Sequence, residues 1–179
     1  MATATYVPVE EYLRTSYEPD REYVDGTLVE RNVGERQHSF IQAALATNLN
    51  NLRRADIRFA VFTEQRLRID PGEKPRYRIQ DVCVMAPGYA RTSVLAEPPA
   101  LVVEILSPDD RMSDIFQKIG DYLRFGVGAI WIVDPNERKL FTADSDGLQE
   151  MKNQSGRFHC AGEELVVDFR PMFAELDEA

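Results

Sequence analysis

At 179 residues, with 44 % hydrophobic and 28 % charged side chains, the chain has the mass for one substantial core and lies far from disordered compositions. Its formal net charge of −9 excludes a protein that coats nucleic acid through bulk electrostatics, so a phosphate-bearing substrate would need a local basic patch, metal ions or a partner protein. Cys83 and Cys160 form no disulfide framework or paired-cysteine metal motif, Met1 to Pro8 lack the basic and apolar parts of a leader, and no run reaches membrane-spanning length. The expectation is a soluble, cytoplasmic protein without membrane partners, folded as one domain over residues 1–179.

In chain order, Val9 to Ser16 after Pro8 reads as a short amphipathic helix with Tyr12 and Leu13 inward. Asp25-Gly26, between the alternating runs of Arg21 to Glu30, marks a tight hairpin, with Tyr23 and Leu28 on one side and Glu22 on the other. On pattern alone Glu22 is a solvated hairpin residue. From Gly34 the spacing turns helical through Phe40, Ile41, Ala44, Leu45, Leu49 and Leu52, with His38 in the first turn, where a surface or capping role is the ordinary one. Arg58 to Ile69 alternates as a strand, and Asp70 to Pro75 is a polar turn. Arg53, Arg54, Arg58, Arg66, Arg68, Arg76 and Arg78 concentrate positive charge here; such a run is usually a solvated face, and it is also the best candidate for a phosphate-facing surface.

Arg76 to Met85 is the next strand, and Asp81 shares a face with Ile79 and Cys83. After a connection over residues 87–98 comes Leu101-Val-Val-Glu104-Ile-Leu106, apolar on both faces and therefore a central strand covered by layers on either side. Glu104 is the anomaly: an unpartnered buried carboxylate costs several kcal/mol or stays protonated, so a cationic or hydrogen-bonding group should meet it. The chain offers Lys118, or a divalent metal shared with Asp81. Ser107 to Asp110 supply breaking and capping residues for a helix with Ile115, Phe116, Ile119, Tyr122 and Leu123 at core spacing and Lys118 on its flank. Gly126 and Gly128 end it, and Ala129 to Val133 forms another buried strand. Residues 139–143 and 164–169 read as peripheral strands around a turn at Asp144 to Gly147, and Met172 to Leu176 as a short closing helix.

Asp81, Glu104 and Lys118 thus form a set of two acids and a lysine. Two carboxylates suit a hard divalent cation such as Mg²⁺, which neutralises charge on a phosphoryl oxygen and acidifies a bound water, while a lysine orients the nucleophile or stabilises charge. The reaction implied is metal-assisted phosphodiester hydrolysis. The same residues suit a purely structural arrangement, a buried Glu104–Lys118 pair with Asp81 bonded to backbone amides.

Pro99-Ala-Leu-Val-Val-Glu104-Ile-Leu-Ser-Pro108, Lys118, Tyr122, Gly126-Val127 and Trp131-Ile-Val-Asp-Pro135 resemble the hallmark block of a bacterial putative restriction endonuclease domain family of the PD-(D/E)XK nuclease superfamily. Arg21-Glu22-Tyr-Val-Asp25-Gly26, His38 and Ile79-Gln80-Asp81-Val82 match its earlier blocks in order, and the likeness covers roughly residues 8 to 170. The resemblance implies an α/β fold with a restriction-endonuclease-like core, a mixed central sheet flanked by helices, with an N-terminal hairpin and peripheral C-terminal strands. It implies Asp81 as the strand aspartate, Glu104 as the second acid, both as metal ligands for Mg²⁺ or Mn²⁺, and Glu22 as an acidic position near the metal. Gln80 stands where the motif has proline. Leu106 stands where it has lysine, and Lys118 is similar to a lysine relocated to the helix. The implied activity is cleavage of DNA, with a homodimer as the natural assembly for cutting both strands. The alternatives are a catalytically silent nuclease-fold binding or regulatory module, which the acidic charge favours, and a hydrolase of another phosphoester.

Overall fold

The computed structural model describes residues 6–32, 35–70 and 74–176. Gly34, where the helical pattern begins, and most of the polar turn after Asp70 lie outside them. A short helix α1 (Val9–Arg14) precedes the hairpin β1 (Arg21–Val24) and β2 (Thr27–Glu30). Asp25 and Gly26 take φ of 52° and 92°, the left-handed pair that a two-residue hairpin turn needs. Gly26 has a second reason to lack a side chain, because a Cβ there would collide with the Tyr6 ring. Tyr12 is fully buried under Tyr23 and Tyr77, whereas Leu13, expected inside, is exposed.

Helix α2 (Arg36–Asn51) is followed by two long antiparallel strands, β3 (Ala60–Ile69) and β4 (Arg76–Met85), then β5 (Leu101–Ile105), α3 (Met112–Phe125) and β6 (Ile130–Asp134). β5 and β6 are parallel, so a crossover must join them, and α3 is that crossover. β7 (Lys139–Asp144) and β8 (Gly147–Glu150) extend the sheet, while β9 (Ser155–Cys160) and β10 (Glu163–Asp168) pair separately and α4 (Arg170–Glu175) follows. The result is the mixed sheet flanked by helices that the sequence implies, with peripheral strands added by β8 and β9 in the last third.

β5 shows why the layers form. Leu101, Val103 and Ile105 pack toward Ile41, Leu45 and Leu49 of α2, and Val102 packs toward Ile115, Ile119 and Tyr122 of α3. Each such large side chain, fully buried, contributes roughly 1.5–3 kcal/mol, so both helices are held by apolar stripes. The α3 stripe is narrower than its spacing suggests: Phe116 and Leu123 stay exposed because the sheet covers only the 115/119/122 line. No helix among the described residues is long and apolar enough to cross a membrane.

Two features of β4 position the site. β3 runs along one edge of it from Ile69 opposite Arg76 to Ala60 opposite Met85. The other edge is shared, with β1 at Tyr77 and β5 from Val82 to Val84, so the sheet forks at residues 78–81. The β3–β4 ladder also lacks one pair, Glu64 with Asp81, and Glu64 has φ of 52°. Facing changes across that point: Cys83 and Met85 belong to the α3-side core, and below it Arg76 and Arg78 reach Asp121 on α3. The face shared by Ile79, Asp81 and Cys83 in a regular strand is therefore broken, which a strict two-residue period could not anticipate.

Candidate active site

Asp81 and Glu104 occupy the positions one step beyond the Val82↔Val103 pair, and both line the cleft at the fork. Both are nearly buried, at 3 % exposure. Side chains replace the ladder that the fork interrupts. The Ile105 amide donates to Asp81 Oδ2 at 2.7 Å, and the Ile79 amide donates to Glu22 Oε1 at 3.0 Å. Gln42 of α2 donates to the Asp81 carbonyl at 3.0 Å. The fork opens on a cleft of about 690 Å³ whose lining includes Glu22, Arg31, His38, Asp81, Glu104 and Lys118.

Lys118 enters from α3. Its ammonium lies 2.9 Å from Glu104 Oε2 and 3.2 Å from Glu22 Oε1, so one lysine bridges two acids from different strands. Tyr122, one turn further along α3, donates to Glu104 Oε1 at 2.5 Å. Glu22 is completed by Arg78, which donates to Oε2 at 2.8 Å and with its other nitrogens holds Asp121. Glu22 is thus buried at 1 % exposure and is not the solvated hairpin residue that alternation suggests. Its register places it beside Arg78, one step from the Tyr23↔Tyr77 pair.

His38 is likewise inside, with Nε2 3.3 Å from Asp81 Oδ2, and not the surface or capping residue expected at a first helical turn. Arg31, in the coil after β2, donates to Asp81 Oδ1 at 2.7 Å. Sequence reasoning missed Arg31, which lies in no periodic segment. Tyr122 was legible as a core residue and as part of the hallmark block but not as a partner of Glu104, although its spacing of four from Lys118 puts both on one helix face. The arginine-rich patch falls elsewhere. Of its members only Arg78 lines the cleft; Arg76 pairs with Asp25 and Asp121, Arg66 lies over the Tyr12 ring, and Arg68 pairs with Asp70.

The charges divide the acids. Burial works against ionising Glu22, but Lys118, Arg78 and the Ile79 amide outweigh it and hold the carboxyl below its usual range. Asp81 is also held low, since His38 and Arg31 outweigh its burial. Glu104 goes the other way: burial pushes it up, Lys118 pulls it down, and the neighbouring charges of Asp81 and Glu22 tip it above the usual range. Lys118 stays charged despite burial because Glu104 and Glu22 flank it.

The donor set fits a hard divalent cation. Asp81 and Glu104 offer carboxylate oxygens on one wall of an open cleft, and a Mg²⁺ ion that keeps several waters needs no more than one or two such ligands. Among the described residues no group of three or more His, Cys, Asp or Glu side chains is assembled to hold a metal ion.

The family model described as "Uma2: Putative restriction endonuclease" matches the chain over residues 9–166. Among solved structures, the chain is similar to a protein described as a putative nuclease belonging to DUF820 from Anabaena variabilis, with a TM-score of 0.78 and 20 % identity over 95 % of this chain and 99 % of that one. No curated protein matches it.

Proposed function

The chain belongs to the Uma2 putative restriction endonuclease family, and from that premise we propose that it is a divalent-metal-dependent nuclease hydrolysing DNA phosphodiester bonds, with Asp81, Glu104, Lys118 and Glu22 as its working residues. The observation that carries this reading is that Asp81 and Glu104 line one cleft at a fork in the sheet, with the ammonium of Lys118 on the second acid. Packing alone does not call for the buried Glu104–Lys118 pair, since apolar residues of similar volume often serve stability as well or better.

Mg²⁺, or Mn²⁺, would be held by Asp81 and Glu104 and would supply charge neutralisation at the phosphoryl oxygen and a water acidified for attack. The other groups act on their own atoms. The Ile105 amide fixes Asp81 Oδ2, and Tyr122 fixes Glu104 Oε1, so both carboxylates are oriented before a substrate arrives. Lys118 is held charged and so cannot take a proton; it serves as a fixed positive charge beside the reacting phosphate. Glu22 holds that ammonium from the far side and is itself held by Arg78.

DNA is the substrate that the family description favours. The cleft rim carries Glu30, Asp109, Asp110 and Asp114, so a polyanion enters only with metal or with added positive charge from a second subunit. A homodimer would also present one site to each strand of a duplex. Residues 1–179 work as one restriction-endonuclease-like domain in this reading. A cytoplasmic setting accords with Cys83 and Cys160, both buried free thiols.

A second reading, a silent binding module that keeps the fold, draws on one observation: Glu22, Asp81, Glu104 and Asp121 are already met by Lys118, Arg31, Arg78 and Arg76. Cleavage assays with Mg²⁺ and Mn²⁺ on single-stranded DNA, duplex DNA and RNA, beside an Asp81→Ala control, separate the readings and also detect a preference for another phosphoester.

A further inference from the structure

The two oxygens of Asp81 are held differently. Oδ2 takes the Ile105 amide and faces His38, contacts that belong to the strand and to α2. Among the described residues, Oδ1 takes only Arg31, at 2.7 Å, from a residue in the coil that follows β2. Oδ1 is therefore the oxygen that a cation in the cleft would compete for, and its present partner is a cation on a long, flexible stem. Placing a divalent ion against Asp81 and Glu104 while Arg31 stays in place would put two positive groups on one oxygen, a repulsion the low-dielectric fork would magnify.

Arg31 also has somewhere to go. The other cations lining the cleft are Lys118 and Arg78, each wedged between two acids, and Arg111 at its exposed rim. Arg31 keeps 15 % of its side chain exposed, and a guanidinium grips a phosphate through paired N–H groups as readily as it grips a carboxylate. We propose that Arg31 is an exchangeable counter-cation: it neutralises Asp81 Oδ1 until a divalent cation takes that oxygen, and is then released to bind a phosphate of the phosphodiester. This rests on the metal-dependent reading above. Its consequence is reciprocal, since metal and phosphodiester each strengthen binding of the other through one arginine.

Mn²⁺ binding to the chelator-stripped full chain, measured by calorimetry and by the electron paramagnetic resonance of free Mn²⁺, tests it without any turnover. Arg31→Met and Arg31→Gln should each bind Mn²⁺ tighter than wild type by on the order of 10-fold, because neither puts a charge on Oδ1. Arg31→Lys should stay near wild type. A phosphorothioate DNA duplex followed by fluorescence anisotropy should bind wild type more tightly when Mn²⁺ is added, and most of that gain should vanish in the neutral variants. The glutamine variant keeps a hydrogen bond to Asp81, so it reports even if the methionine variant fails to fold. Unchanged or weaker Mn²⁺ affinity in the neutral variants, with binding present in wild type and lost in Asp81→Asn, overturns the exchange and leaves the metal site standing. No Mn²⁺ binding in wild type or the neutral variants removes the metal site, and the exchange with it.

Discussion

Lys118 reaches Glu104 from a helix, its ammonium 2.9 Å from Oε2, and it does so while standing 3.2 Å from Glu22. In the usual motif the lysine stands two residues after the second acid, a position held here by the half-buried Leu106. Two strands thereby depend on one side chain of α3, which ties the hairpin, the central strand and the crossover helix into one electrostatic unit.

If that ammonium serves the reaction, Lys118→Ala should abolish cleavage while sparing Mn²⁺ binding, and adding Leu106→Lys should restore part of the rate. Partial recovery is the most to expect, because a catalytic group misplaced by about 1 Å loses on the order of 100-fold. Single-turnover rates, beside a melt that verifies folding, check this; a folded Lys118→Ala protein that cleaves at the wild-type rate removes the lysine from the mechanism.

Glu104→Gln should be neutral or stabilising in chelator. Burial and the nearby acids already push the Glu104 carboxyl up, so its ionised form costs stability at neutral pH, and Lys118 keeps Glu22 as a partner when the charge is removed. A purely structural ion pair predicts a loss of roughly 3–5 kcal/mol instead. Urea melts of both proteins decide.

Arg78→Met should be among the most destabilising single changes, by about 3–5 kcal/mol, since it takes from buried Glu22 the hydrogen bond to its Oε2 and strips one oxygen of Asp121. Asp121 keeps Arg76 and Arg124 on its other oxygen, so adding Glu22→Gln should recover much of the loss. Additive losses in the double variant would refute the coupling.

His38→Gln probes pH. Burial opposes the charge on His38, but the Asp81 carboxylate outweighs it and raises the pKa above the ordinary value of 6.5. A raised pKa stabilises the fold below the unfolded value and loses that contribution as pH climbs through the folded one. The stability gap between wild type and His38→Gln should therefore be widest below the ordinary value of 6.5 and shrink as pH climbs above it. A gap that grows with pH would contradict the His38–Asp81 contact.

Much of this site was legible in the sequence. An acid inside an apolar run, as at Glu104, demands a partner on energetic grounds alone, and Lys118 sits at the helix spacing that supplies one. Glu22 and His38 were not legible as buried groups, because their burial depends on Arg78 and Asp81, which chain topology brings from distant segments. Arg76 and Arg78 were read as part of a phosphate-facing surface because they add to a local concentration of positive charge, whereas both turn to Asp121 of α3, a facing that a regular two-residue period cannot foresee. Arg31 left no periodic mark at all.

The most direct test is cleavage of a duplex DNA by the purified chain with Mg²⁺ or Mn²⁺, run beside chelator and beside Asp81→Asn. The account predicts phosphodiester hydrolysis that requires the metal and disappears in the variant while its fold persists. Hydrolysis that survives in folded Asp81→Asn, or no hydrolysis of any nucleic acid by a protein shown to bind the metal, would contradict it.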